Sequence, residues 1–94
     1  MTAKQQEAVW IFHGAGARFS SGVFTSLEKA RHWISKHKLS GVLTEYPLDE
    51  GVYDWAIQKE LFEVKSIKYQ SAQFIQAFSS ASQEHYHFVD GNIE

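Results

Sequence analysis

The run Ala8-Val9-Trp10-Ile11-Phe12, closed by His13-Gly14, limits the fold more than any other stretch of this chain. Its consecutive apolar side chains leave no polar face for water. It is short, and rich in β-branched and aromatic residues, so it reads as a buried, central strand. Such a strand needs partners, and three further segments can supply them. Phe19–Phe24 is short and strand-like, with Gly22 marking a bulge or a close backbone approach. Val42–Leu48 alternates, with Val42, Thr44 and Tyr46 pointing one way and Leu43, Glu45 and Pro47 the other. Pro47 has no N–H to donate, which puts this strand near an edge or ends it there. His85–Val89 is the last strand and precedes a turn at Asp90-Gly91-Asn92.

Helical signals lie between these runs. Thr25-x-x-Glu28 fits a capping box, and the helix it opens runs to about Lys38. Leu27, Ala30, Ile34 and Lys38 share one face of it, with Trp33 and His37 alongside. Gly41, after Leu39-Ser40, suits the turn that ends it. Val52–Leu61 leans towards a short helix, and Glu63–Gln70 reads as loop or poor strand. Ser71 caps another helix from Ala72 to about Ser80, striped by Phe74, Ala77, Phe78 and Ala81. The expected fold class is α+β: a two-layer domain in which one mostly antiparallel sheet of about four strands is covered by two or three helices.

At 94 residues the chain reads as one globular domain, with 1–7 and 92–94 frayed. Seven Phe, four Tyr and three Trp supply much of its core. The absence of cysteine excludes disulfides and thiolate metal sites. MTAKQQEA lacks the apolar run of a signal peptide, and no stretch approaches the roughly 20 apolar residues that span a bilayer. The expectation is a soluble cytoplasmic protein without membrane contact. Net charge is −2, but it is unevenly spread. Residues 1–41 carry six bases and two acids, whereas 45–63 carry six acids and Lys59. The basic residues dot one helix face too sparsely to indicate nucleic acid.

The acidic stretch, EYPLDEGVYDWAIQKELFE, also holds the aromatics suited to binding. Acids resist burial, while aromatic rings gain most when water leaves them. A segment with both suits the rim and anchors of a protein-binding surface. Tyr46, Tyr53 and Trp55 are the expected anchors. Asp49, Glu50, Asp54 and Glu60 are the expected steering charges. No cofactor is implied.

The residues suited to chemistry form no complete set. His85 and His87 stand two apart on a strand, on one face, where two imidazoles can share a metal. His13 or Glu84 would have to complete the site. The simpler reading leaves both histidines exposed while Tyr86 and Phe88 fill the core. His13 precedes Gly14-Ala15-Gly16, but position 19 is Phe, no helix follows at once and no Walker lysine is present. A hairpin connection with a capping histidine fits better than a phosphate cradle. No Gly-x-Ser-x-Gly elbow occurs. Asp54 could pair with Glu45 or Asp49 as a carboxylate dyad, yet acids in turns are usually solvated. The chain therefore reads as a binder rather than an enzyme. The alternative is a small enzyme or metal-binding protein using His13, Glu84, His85 and His87. A further alternative is a homodimer formed through an edge strand at 42–47 or 85–89.

Trp10, His13-Gly14, Ser21-Gly22-Val23-Phe24, Trp33, Tyr46-Pro47, Gly51, Tyr53-Asp54-Trp55-Ala56 and Gln83-Glu84-His85-Tyr86-His87 together resemble the marks of a family of short, stand-alone, uncharacterised bacterial proteins. The resemblance runs from Val9 to about Gly91 and implies no activity and no catalytic residues. The strand–strand–capped-helix–strand opening is also similar in architecture and size to small bacterial immunity proteins. That similarity implies an inhibitor that occludes a basic toxin domain, with residues 45–63 meeting its active-site cleft.

Overall fold

The computed structural model describes residues 7–94, so the fraying expected of 1–7 falls, apart from Glu7, outside the described residues. The chain divides into two compact units. A sheet unit runs through Leu48 and resumes at Gln83–Glu94, and a helical unit occupies Asp49–Ser82.

The sheet unit holds β1 (Ala8–Gly14), β2 (Gly22–Phe24), α1 (Leu27–Lys36), β3 (Gly41–Pro47), β4 (His85–Val89) and β5 (Asn92–Ile93). The strands lie in the order β2-β1-β3-β4-β5, every neighbouring pair antiparallel. The α+β class is as the sequence indicates, with five strands instead of four. β5 arises in residues expected to fray. Asp90 (φ 49°) and Gly91 (φ 89°) both adopt left-handed backbone, the combination that lets a two-residue hairpin follow strand twist.

β1 is flanked on both sides, as its continuous apolar run requires. β3 is the middle strand and ends at Pro47, which pairs with Ala8, so the missing N–H falls where the ladder stops. Residues 42–47 are therefore no edge, and 85–89 lies between β3 and β5, so neither strand expected to pair in a dimer is an edge strand. The edges are β2 and β5, only three and two residues long. Such short edges give little template for strand addition.

Alternation sends Trp10, Phe12, Leu43 and Phe88 to one face, where they pack with Ala30 and Ile34 of α1. Phe12, Leu43 and Ile34 are sealed from solvent, and Trp33, with its ring 6.0 Å from Phe12 and 5.4 Å from Phe24, closes the margin. Gly22 and Gly41 are close approaches. A Cβ at Gly22 would meet the Phe24 ring and one at Gly41 the His13 carbonyl oxygen.

α1 starts one residue later than the capping box implies. Ser26, not Thr25, is the N-cap, and its hydroxyl accepts from Lys29 N–H at 3.2 Å. Glu28 then sits too early to complete a box, but its charge still favours the helix N-terminus. The helix stops at Lys36 rather than Lys38. Leu39 N–H donates to Ile34 O and Lys38 N–H to Ser35 O, with Lys38 at φ 54°. That pair of bonds is a Schellman ending, in which glycine is the usual left-handed residue.

The helical unit contains α2 (Val52–Gln58), a 3₁₀ turn at Ile67–Gln70 and α3 (Ala72–Gln76). α2 also ends in a Schellman motif: Leu61 N–H donates to Ala56 O, Glu60 N–H to Ile57 O, and Glu60 has φ 61°. Ser71 caps α3 as expected, accepting from Phe74 N–H at 3.1 Å. α3 ends four residues earlier than its apolar stripe suggests. Both helices are too short to persist alone. They are held by an aromatic cluster of Tyr53, Phe62, Tyr69, Phe74 and Phe78, whose closest ring centroids are 4.9 Å apart.

Candidate functional site

The acidic stretch is divided between the units. Tyr46 lies on β3, half-buried, on the sheet face opposite α1. Asp49, Glu50, Tyr53, Asp54, Trp55 and Glu60 all belong to the helical unit. Their roles separate by burial. Asp49, Glu50, Asp54 and Glu60 are exposed and Trp55 is half-buried. Tyr53 corrects the expectation. It is 9% exposed, it packs against Phe62, Phe74 and Phe78, and its hydroxyl donates to Tyr69 O at 2.8 Å. It is the interior of this unit, not an anchor held out to a partner. The helical period explains this, because Tyr53 and Ala56 share the inward face of α2.

Two residues outside the expected set belong with the exposed acids. Ile57 and Leu61 are 36% and 47% exposed. Ile57 follows Asp54 at i+3 on α2, a spacing that could have been read from the sequence, and Leu61 lies just past the left-handed Glu60 that ends the helix. The outward side of α2 and the turn that follows it thus carry Ile57 and Leu61, with exposed carboxylates and the half-buried Trp55 on the same segment.

Glu45 belongs to the sheet unit, whereas Asp49 and Asp54 belong to the helical unit. It sits half-buried on β3, and Glu45 N–H donates to Glu84 O at 2.9 Å. Partial burial raises its carboxyl pKa, and the charge of Glu84 raises it further. Gln83 is the one buried polar side chain among the described residues, 4% exposed, and its amide donates to Glu45 O at 3.1 Å. In the sequence Gln83 stands among the marks of the resemblance, but no period or spacing predicts its burial.

The histidines face away from the α1-covered side of the sheet. His13, Val42 and His87 form one row across β1, β3 and β4, and His85 lies opposite Thr44. His13 is occupied locally: Nε2–H donates to Ala17 O at 2.7 Å, and Nδ1 accepts from the Ser20 hydroxyl at 3.3 Å. It pins the loop after β1, the capping role expected, and neither ring nitrogen is left for a metal. His85 and His87 share a face as predicted, with ring centroids 5.6 Å apart. His85 Nδ1–H donates to Gln83 O at 2.7 Å, which leaves Nε2 with its lone pair. Glu84 instead accepts from the Tyr86 hydroxyl at 3.4 Å. Among the described residues no three His, Asp or Glu side chains converge on a metal position, so the set His13, Glu84, His85 and His87 is not assembled. Among the described residues no helix is long and apolar enough to cross a membrane.

Residues 9–94 match the model of a family described as a domain of unknown function, DUF7710. No curated protein and no solved structure matches the chain.

Proposed function

We propose, for a chain that belongs to the DUF7710 family of domains of unknown function, a role as a protein-binding module whose contact surface is the outward side of α2. The observation that carries this reading is the exposure of Ile57 and Leu61 beside Asp54, Trp55 and Glu60 within one compact unit. Aliphatic side chains left in water gain from contact, and a surrounding rim of like charge selects a basic partner. From Asp49 to Glu63 the chain has five acids and one lysine, so association would be steered and salt-sensitive. An immunity-type inhibitor is the form of binder such a surface suits. It would act in the cytoplasm by covering the basic cleft of a toxin domain, without chemistry of its own.

The test is capture of a partner by the purified chain, followed by kinetics. Reversing Asp49, Glu50, Asp54 and Glu60 to lysine should slow association and flatten its dependence on salt, while the circular dichroism spectrum stays unchanged. Trp55→Ala should weaken the complex by about 2 kcal/mol if its exposed edge is an anchor. Equal affinity for all three proteins would remove this surface from consideration.

A further inference from the structure

We propose that His85 and His87 form half of a zinc site, completed by the same two residues of a second copy of this chain. This site lies in the sheet unit and is independent of the surface on α2.

His85 has the arrangement of a metal-ligating histidine. Its Nδ1–H is fixed on the backbone carbonyl of Gln83, so the unprotonated nitrogen is Nε2. Gln83 is itself immobilised, with its side chain buried and its amide bonded to Glu45 O. The carbonyl that orients the imidazole is therefore part of a rigid support. His87 stands two residues on, on the same face of β4 and exposed, its ring 5.6 Å from that of His85 and turned by 82°. Rotation about the side-chain bonds of His87 can bring one of its nitrogens to an ion held by Nε2 of the fixed His85.

The number of donors determines the partner. Zinc in a closed site takes four ligands in a tetrahedron, and imidazole is among its preferred donors. One chain offers two here, since the described residues place no third ligand near them. His13, the nearest further histidine across the sheet, has both nitrogens engaged in its own loop. A two-fold axis through the ion supplies the missing pair from an identical surface. β5 pairs with the end of β4 at Phe88–Ile93 and Val89–Asn92, and Glu94 N–H donates to His87 O at 2.8 Å, but the His85 and His87 side chains leave the sheet face and stay exposed, so they can reach such an axis. Val89, 47% exposed beside His87, adds apolar contact.

The experiment is zinc chloride titration of the whole chain, followed by calorimetry and sedimentation velocity. Half an equivalent of zinc per chain should bind as the sedimenting mass doubles, and EDTA should reverse both. His85→Ala and His87→Ala should each weaken zinc uptake by more than about 10-fold and abolish the dimer. His32→Ala, an exposed position on α1, should change neither. Both ligand positions are exposed, and an unchanged circular dichroism spectrum would verify that each variant folds. One zinc per monomer, a dimer formed without zinc, no uptake, or uptake retained in both variants would each overturn the proposal.

Discussion

In the sheet unit Phe12 keeps 2% of its exposure and Phe88 4%, enclosed between β-strands and α1. In the helical unit Phe62, Tyr69, Phe74 and Phe78 remain half-buried, and of its rings only Tyr53 is buried. The two units use the same kind of side chain with different results. A sheet face and a ten-residue helix form two layers that exclude water from between them. Helices of seven and five residues cannot enclose a volume, so their rings meet at angles from stacked to edge-on and all but Tyr53 stay partly wet. Burial scales with enclosure, so the sheet unit should hold most of the stability and the helical unit should open more readily. Amide exchange should accordingly be slowest in β1 and β3 and faster in α2 and α3.

Truncating one ring in each unit gives the largest contrast. Phe12→Ala removes a sealed side chain and should cost about 3–5 kcal/mol. Phe62→Ala removes a ring already half in water and should cost about half as much, on the order of 2 kcal/mol. Urea midpoints would measure both, and equal losses would break the comparison. Tyr53→Phe sharpens it. The ring stays, but the hydroxyl that donates to Tyr69 O is lost, for an expected cost of about 1 kcal/mol.

The same contrast explains which parts of the fold were legible. β1 was readable from its unbroken apolar run, β3 and β4 from alternation across a sheet, and the body of α1 from its 3.6-residue stripe. Ser71 was readable as a cap because its bond is local. The helical unit was less legible, since no single period governs a cluster of rings that meet at varied angles. Tyr53 was misassigned for that reason: an aromatic among acids looks like an anchor unless the helical phase puts it beside Ala56. The start of α1 was misplaced by one residue because Thr25 and Ser26 are both competent caps, and only the backbone decides between them. β5 was missed because its two residues carry no pattern of their own and depend on the turn at Asp90-Gly91. Of the candidate site, the exposure of the acids and the shared face of His85 and His87 followed from sequence. The occupation of His13 by Ala17 and Ser20 is a loop contact with no sequence period.

The helix ends offer a smaller and opposite effect. Lys38 and Glu60 both hold left-handed backbone, at φ 54° and 61°, in Schellman endings of different units. A side chain in that region costs about 1–2 kcal/mol, partly offset by the greater freedom of glycine when unfolded. Lys38→Gly and Glu60→Gly should each stabilise the chain by about 0.5–1 kcal/mol. If the sheet unit dominates global unfolding, Lys38→Gly should raise the thermal midpoint more than Glu60→Gly. The reverse order would place the limiting structure in the helical unit.

The smallest expected effect tests the polar margin of the sheet unit. Partial burial, reinforced by the charge of Glu84, raises the Glu45 carboxyl above its ordinary value of 4.5 in the folded state. Between the unfolded and folded values the native chain binds more protons than the unfolded one, so stability falls as pH rises through that window. Above it the ionised Glu45 is a constant small penalty, and below it the penalty vanishes. Glu45→Gln removes the titration and keeps the shape. The variant should match the parent at about pH 3 and exceed it slightly by about pH 7, with the gap opening as pH passes upward through the raised value. Glu84→Gln should narrow the window without closing it, because burial is the larger cause of the shift. The difference in thermal midpoint between parent and Glu45→Gln, followed across this range, isolates the one carboxyl from the other acids. A gap that closed with rising pH would mean that ionised Glu45 is stabilised in the fold, and burial would not be what governs this carboxyl.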